Sequence, residues 1–217
     1  MKKIDPADLV CMDNFTKVEP IAIDLVYAKP EHPQNMFRQA IYHDRAKLWL
    51  HKDLAAITIE AGRRLRQHFN YTLVLKDGLR TYEAQTAIWE TEIMKAHPEW
   101  AEQNLFALPG QGAHPRGMAI DVSVVASNGQ EVDMGTPFDH MDAHTASRSC
   151  PDFDKQILQN RNDLENAFIS AAIDLNLPLL PLPSEWWDFR MPTDLFSGHA
   201  HLTDAELPAE MRMTLKY

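Results

Sequence analysis

Apolar residues recur at three- and four-residue steps through Leu50, Leu54, Ile57, Ala61, Leu65 and Phe69. That spacing lines one helical face and predicts a helix from Ala46 to Phe69. The period then changes. Tyr71-Thr72-Leu73-Val74-Leu75 is apolar and partly β-branched and ends at Asp77-Gly78, which predicts a strand and a turn. Tyr82 to His97 again reads as a helix, stopped by Pro98. Met118 to Val125 alternates and is rich in β-branched residues, so it predicts a second strand. Ser127-Asn128-Gly129 signals a hairpin, with Glu131-Val132 as its return strand. Residues 152–176 predict a third helix with Ile157, Leu164, Phe168, Ala171 and Leu175 turned inward. Residues 21–28, Leu179 to Leu182 and Trp186 to Phe189 read as short extended segments. Pro30 to Gln39, residues 107–117 and the chain after Pro192 read as loops. Helices and strands mix without a repeating βαβ rhythm. The expected class is therefore α+β, a single domain over residues 1–217 with a small, mostly antiparallel sheet flanked by helices.

Composition narrows the function. The 217 residues suffice for one filled core. The net charge of −10 argues against a nucleic-acid or anionic-membrane binder, which needs concentrated positive charge. No apolar run reaches the ~18–20 residues that cross a bilayer. Met1-Lys2-Lys3-Ile4-Asp5-Pro6 lacks the apolar stretch of a signal peptide, so a cytoplasmic protein is expected. Cys11 and Cys150 form no framework and no CxxC pair. They read as two reduced thiols, with a single bridge as the alternative.

Three constellations carry chemistry. In the first, a glycine-rich loop holds His114 and leads into a strand with Asp121 between Ile120 and Val122. A buried carboxylate there needs a partner, and an imidazole and a carboxylate converging suit Zn²⁺. A surface strand with Asp121 facing water fits the same spacing. In the second, Glu185 and Asp188 bracket Trp186-Trp187. Apolar walls push a carboxyl pKa upward, the condition for acid/base work near neutrality; a core tryptophan pair with solvated acids at its ends is the plainer alternative. In the third, Arg80 stands in a strand-to-helix turn after Asp77-Gly78. It could hold an oxyanion or a carboxylate, or lie on the surface.

Taken in order, Asp-Gly-x-Arg80, His114-x-Arg-Gly-x-Ala-Ile-Asp121 and Glu185-Trp-Trp resemble the VanX-type D-alanyl-D-alanine dipeptidases, a zinc peptidase family. Asp24-Leu25-x-Tyr27-Ala28, Met134-Gly135-x-x-Phe138-Asp139-x-Met141-Asp142 and Asn160-Arg161 extend the likeness over about residues 20–190. The resemblance implies a sheet that carries one Zn²⁺, with His114 and Asp121 as ligands. It implies Glu185 as catalytic base, Arg80 as the stabiliser of the tetrahedral oxyanion, and Tyr27 and Asp139 as receivers of the substrate's amino terminus. A small peptide with a free amino end is the implied partner; the oligomeric state stays open.

Two positions depart from the family pattern. Its third ligand is histidine, where this chain has Asp188. Asp188 can reach the same ion, while His199 or His201 of Gly198-His199-Ala200-His201 is the competing third ligand. A His/Asp/Asp set carries one more negative charge, expected to weaken Lewis acidity and favour harder ions such as Mn²⁺. Gly112 replaces the family's serine. Two other readings stand beside a dipeptidase: a carboxypeptidase or endopeptidase acting on larger peptidoglycan peptides, and a non-catalytic binding protein on the same fold.

Overall fold

The computed structural model describes residues 1–102 and 105–214. Strands β1 (Leu9–Cys11), β2 (Ile21–Ile23) and β3 (Trp49–His51) precede helix α1 (Lys52–Phe69) and strand β4 (Thr72–Asp77). Three short helices follow, α2 (Tyr82–Trp89), α3 (Glu92–Ala96) and α4 (Glu99–Glu102). Strand β5 (Ala119–Val125) leads to α5 (Ala143–Ala146) and the long α6 (Lys155–Leu175). Strands β6 (Leu180–Pro181) and β7 (Asp188–Arg190) and helix α7 (Thr193–Phe196) complete the order. The fold is α+β. Five strands form one sheet in the order β2-β4-β5-β7-β6, and β1 pairs with β3 in a second. Among these strands β2 and β4 pair in parallel and the other pairs are antiparallel.

Helices α1 and α6 pack on each other, each bounded by local chemistry. His51 caps α1, its Nδ1 accepting from the Asp53 amide, and Asp154 caps α6 by accepting from the Ile157 amide. Both helices end on left-handed asparagines, Asn70 at φ 58° and Asn176 at φ 53°, a conformation asparagine tolerates better than most residues. Gly62 lets α1 approach the sheet: a Cβ there would lie 3.0 Å from Ile21 Cγ2.

The structure corrects several expected boundaries. The helix expected from Ala46 begins at Lys52, because Trp49, Leu50 and His51 pair with Cys11, Val10 and Leu9. The helix expected over 82–97 breaks at Thr91, whose hydroxyl accepts from the Met94 amide and starts α3. Gly129 makes the turn after β5, but the return strand shrinks to one bridge, Val125 to Glu131. The Glu131 carboxylate instead meets Lys76 at 3.0 Å and Ser123 Oγ at 2.9 Å. Leu164, Phe168 and Ala171 are buried as expected, whereas Phe69 and Leu175 are exposed at the last residues of their helices. Cys11 and Cys150 are both buried and unbridged. Among the described residues, no helix is long and apolar enough to cross a membrane.

Strand β5 is the centre of the five, and its residues are buried on both faces from Ala119 to Val124. The alternation in its sequence therefore does not separate a wet face from a dry one. Asp121 and Ser123 are interior residues.

Candidate metal centre

Three aspartates stand side by side on three neighbouring strands. Register sets Asp77 of β4 opposite Asp121 of β5, and Asp121 opposite Asp188 of β7. An irregularity in β4 between Leu75 and Asp77 brings Asp77 into this row. All three are buried. Like charges opposite one another repel, and buried carboxylates lose hydration. Such a row persists only where cations face it.

Two arginines face it. Arg80 donates to Asp77 Oδ2 through Nε at 2.9 Å and Nη2 at 2.5 Å, and the Tyr42 hydroxyl donates to Asp77 Oδ1 at 2.5 Å. Burial disfavours the Arg80 charge, but Asp77 outweighs it and holds the pKa above the ordinary value. Arg190 grips Asp188, donating to Oδ1 through Nε at 2.7 Å and to Oδ2 through Nη2. Burial works against an ionised Asp188, yet Arg190 prevails and holds it well below the usual carboxylate range. Arg148 steadies the same strand from behind, donating to the Asp188 carbonyl at 2.5 Å and the Leu182 carbonyl at 2.9 Å.

His114 completes the row. It opens a single helical turn, His114–Arg116, closed by Gly117 at φ 62°, a left-handed position that suits glycine. Nδ1 donates to the Gly78 carbonyl at 2.8 Å. Nε2 then points at the acids, 3.4 Å from Asp121 Oδ2 and 3.5 Å from Asp188 Oδ2. A backbone acceptor on the far nitrogen is how a ligating imidazole is oriented. Burial alone depresses the His114 pKa; Asp121 overrides it, and the group is raised to about 10. Burial pushes Asp121 upward, and its Oδ1 has no hydrogen-bond partner. One imidazole nitrogen, two carboxylates and an unpartnered buried oxygen fit a divalent cation.

A cavity of about 340 Å³ opens onto this row, and Arg80, Asp121, Asp139, Glu185 and Asp188 line it. Glu185 is half-buried, and its carboxylate lies within reach of both Asp121 and Asp188. Burial first, and Asp188 next, push its pKa well above the ordinary value. Asp139 adopts φ 58°, and its Oδ2 is buried without a partner. Burial and then Asp188 raise that carboxyl to about 7. Tyr27 is fully buried with an unpartnered hydroxyl. It is not a lining residue; its ring centroid lies 5.8 Å from the Arg80 guanidinium carbon.

The tail histidines are elsewhere. His199 Nδ1 sits 3.0 Å from the Leu195 carbonyl, and His201 stacks on Tyr82 at 5.0 Å. Neither joins a grouping of potential metal donors among the described residues. Asp77, Tyr42 and Arg190 were not among the residues singled out from sequence. Arg190 carried a signal: two residues from Asp188 on a strand, it must share that face. Its pairing offsets the extra negative charge expected of a His/Asp/Asp set. Gly112 also has a local reason, since its φ of 79° is left-handed and strained for serine.

A sequence profile of the D-Ala-D-Ala dipeptidase family matches residues 8–205. The chain is 29% identical over 172 residues to the D-alanyl-D-alanine dipeptidase of Escherichia coli strain K12, covering 79% of each chain.

Proposed function

The chain belongs to the D-Ala-D-Ala dipeptidase family and is a metallopeptidase; we propose that it hydrolyses D-Ala-D-Ala, or a related short peptide with a free amino end, using one Zn²⁺ held by His114, Asp121 and Asp188. One observation carries the reading: His114 Nε2 lies within 3.5 Å of both carboxylates, in a cavity whose wall also holds Glu185 and Asp139. Arg190 supports Zn²⁺ over a harder ion. Paired with Asp188, it leaves the set with the net charge of two neutral ligands and one acid, the usual zinc pattern.

When bound, Zn²⁺ supplies a Lewis acid for the peptide carbonyl and for water. Glu185 takes a proton from the attacking water and returns it to the leaving nitrogen. A carboxyl with a raised pKa suits both halves of that transfer. Arg80 meets the carbonyl oxygen as it gains negative charge, a contribution of ~3–4 kcal/mol for a well-placed donor. Asp77 and Tyr42 hold Arg80 in place. Asp139 Oδ2 receives the substrate ammonium, while Tyr27, off the cavity wall, packs its ring beside the Arg80 guanidinium.

Purified protein loaded with Zn²⁺ is tested on D-Ala-D-Ala and on its N-acetylated form, with amine release as the readout. Cleavage of the free dipeptide with rejection of the blocked one is the expected result. Cleavage of both equally removes Asp139 from its role and favours longer peptidoglycan peptides. Cleavage of neither overturns the reading.

A further inference from the structure

A second group of donors lies apart from the cavity lining. His144 on α5 and Cys150 and Asp152 on the loop after it bring a nitrogen, a sulfur and an oxygen within 4.8 Å of one another. His144 Nε2 is already 2.7 Å from Asp152 Oδ2. The Cys150 amide donates to the Ser147 carbonyl at 3.2 Å, closing the turn that brings the thiol back toward α5. Cys150 is a free thiol, buried, yet outside the contiguous apolar core. Arg161 donates to the Thr145 carbonyl at 2.9 Å and to the Ser147 carbonyl, fixing the same turn.

A surface His–Asp pair has no use for sulfur, and a core cysteine has no use for an imidazole and a carboxylate. Together the three make a donor set for a borderline-soft divalent cation, with water as a fourth ligand. Thiolate in the set turns it away from Mg²⁺ and Ca²⁺, which take oxygen ligands.

We propose that His144, Cys150 and Asp152 form a second metal site that takes Zn²⁺ or a cation of similar softness and braces the segment carrying Glu185. The ligands bracket residues 144–152, and the backbone between them holds that segment. The Trp186 amide donates to the Ala146 carbonyl at 3.0 Å and the Arg148 amide to the Pro183 carbonyl at 3.1 Å. A cation across the bracket ties down the frame on which Glu185 is hung, without touching the cavity.

Cobalt(II) titration of the whole chain tests this, because the centre at His114 offers no sulfur. The expected result is two bound equivalents, one of which brings a thiolate-to-cobalt charge-transfer band in the near ultraviolet. Cys150→Ser loses the band and one equivalent, while Cys11→Ser keeps both. His144 and Asp152 have side chains 61% and 65% exposed, so changing them spares the fold. His144→Ala and Asp152→Asn are expected to weaken the band-forming equivalent at least ~10-fold, the least that loss of even an outer partner costs. That equivalent also raises the melting temperature of the wild type and not of His144→Ala. Absence of the thiolate band, a band that survives Cys150→Ser, or unchanged affinity in both exposed variants overturns the site. Absence of the melting shift overturns the bracing role.

Discussion

Arg190 holds both carboxylate oxygens of Asp188 from two residues further along the same strand. The position proposed as third ligand thus carries an ion pair in place of a bare acid. Arg190→Gln leaves a fully buried carboxylate without its partner, a change that costs ~3–5 kcal/mol in such pairs. Denaturant unfolding of the metal-free protein is expected to show that loss. Metal then becomes the substitute counter-charge, so added Zn²⁺ stabilises the variant more than the wild type. Equal metal-induced shifts in the two proteins would separate Arg190 from the ion's environment. Asp188→His is expected to recover more activity when combined with Arg190→Gln than alone, since imidazole gives the arginine nothing to neutralise.

Glu185 sits at the cavity wall, close to the donor row but outside the three proposed ligands. Glu185→Ala is expected to lower kcat ~10²–10⁴-fold, the range for a lost general base. Metal content by elemental analysis stays at the wild-type level. A variant that loses the metal along with activity would make Glu185 a ligand.

Metal binding is expected to release protons. In the metal-free protein His114 titrates at about 10, so at neutral pH its ring is protonated and must lose a proton to ligate. Apparent affinity then falls about tenfold for each unit the pH drops below that value, as proton and cation compete for one nitrogen. Chelator competition from pH 6 to 8 reads the slope. An affinity flat with pH would mean that His114 stays out of the coordination shell.

Asp139 titrates at about 7, raised by burial and by Asp188. Only its ionised form pairs with an ammonium group. KM is therefore expected to rise as pH falls through this value and to level off above it, with a bound cation drawing the step lower. Asp139→Asn abolishes the step and fixes KM at the high level. If the step survives in that variant, another group receives the amino end.

Much of this centre is local and so was legible. His114, Asp121, Glu185 and Asp188 lie in short ordered motifs, and the structure brings all four to one cavity. The features that escaped depend on distant pairing. Leu50 continues the apolar spacing of α1, but a strand forty residues earlier claims it for β3. Asp77 read as a turn residue because nothing local reveals the β4 irregularity that sets it beside Asp121. For Asp121 of β5 the alternation left a buried and a water-facing side chain equally open, because local sequence cannot show what covers each face of the sheet. Arg190 is different: it shares a strand face with Asp188, but the extended segment expected from sequence ends one residue before it, at Phe189.

The row of Asp77, Asp121 and Asp188 indexes the chemistry to the rungs of a hydrogen-bonded ladder. Adding or deleting one residue within Ala119–Asp121 throws Asp121 to the opposite side of the sheet and puts an apolar neighbour in its place. The exposed turn from Ser127 to Gln130 is then free to lengthen or shorten, while β5 and β7 must keep their residue count. Change of length, more than change of residue, is what this centre cannot absorb.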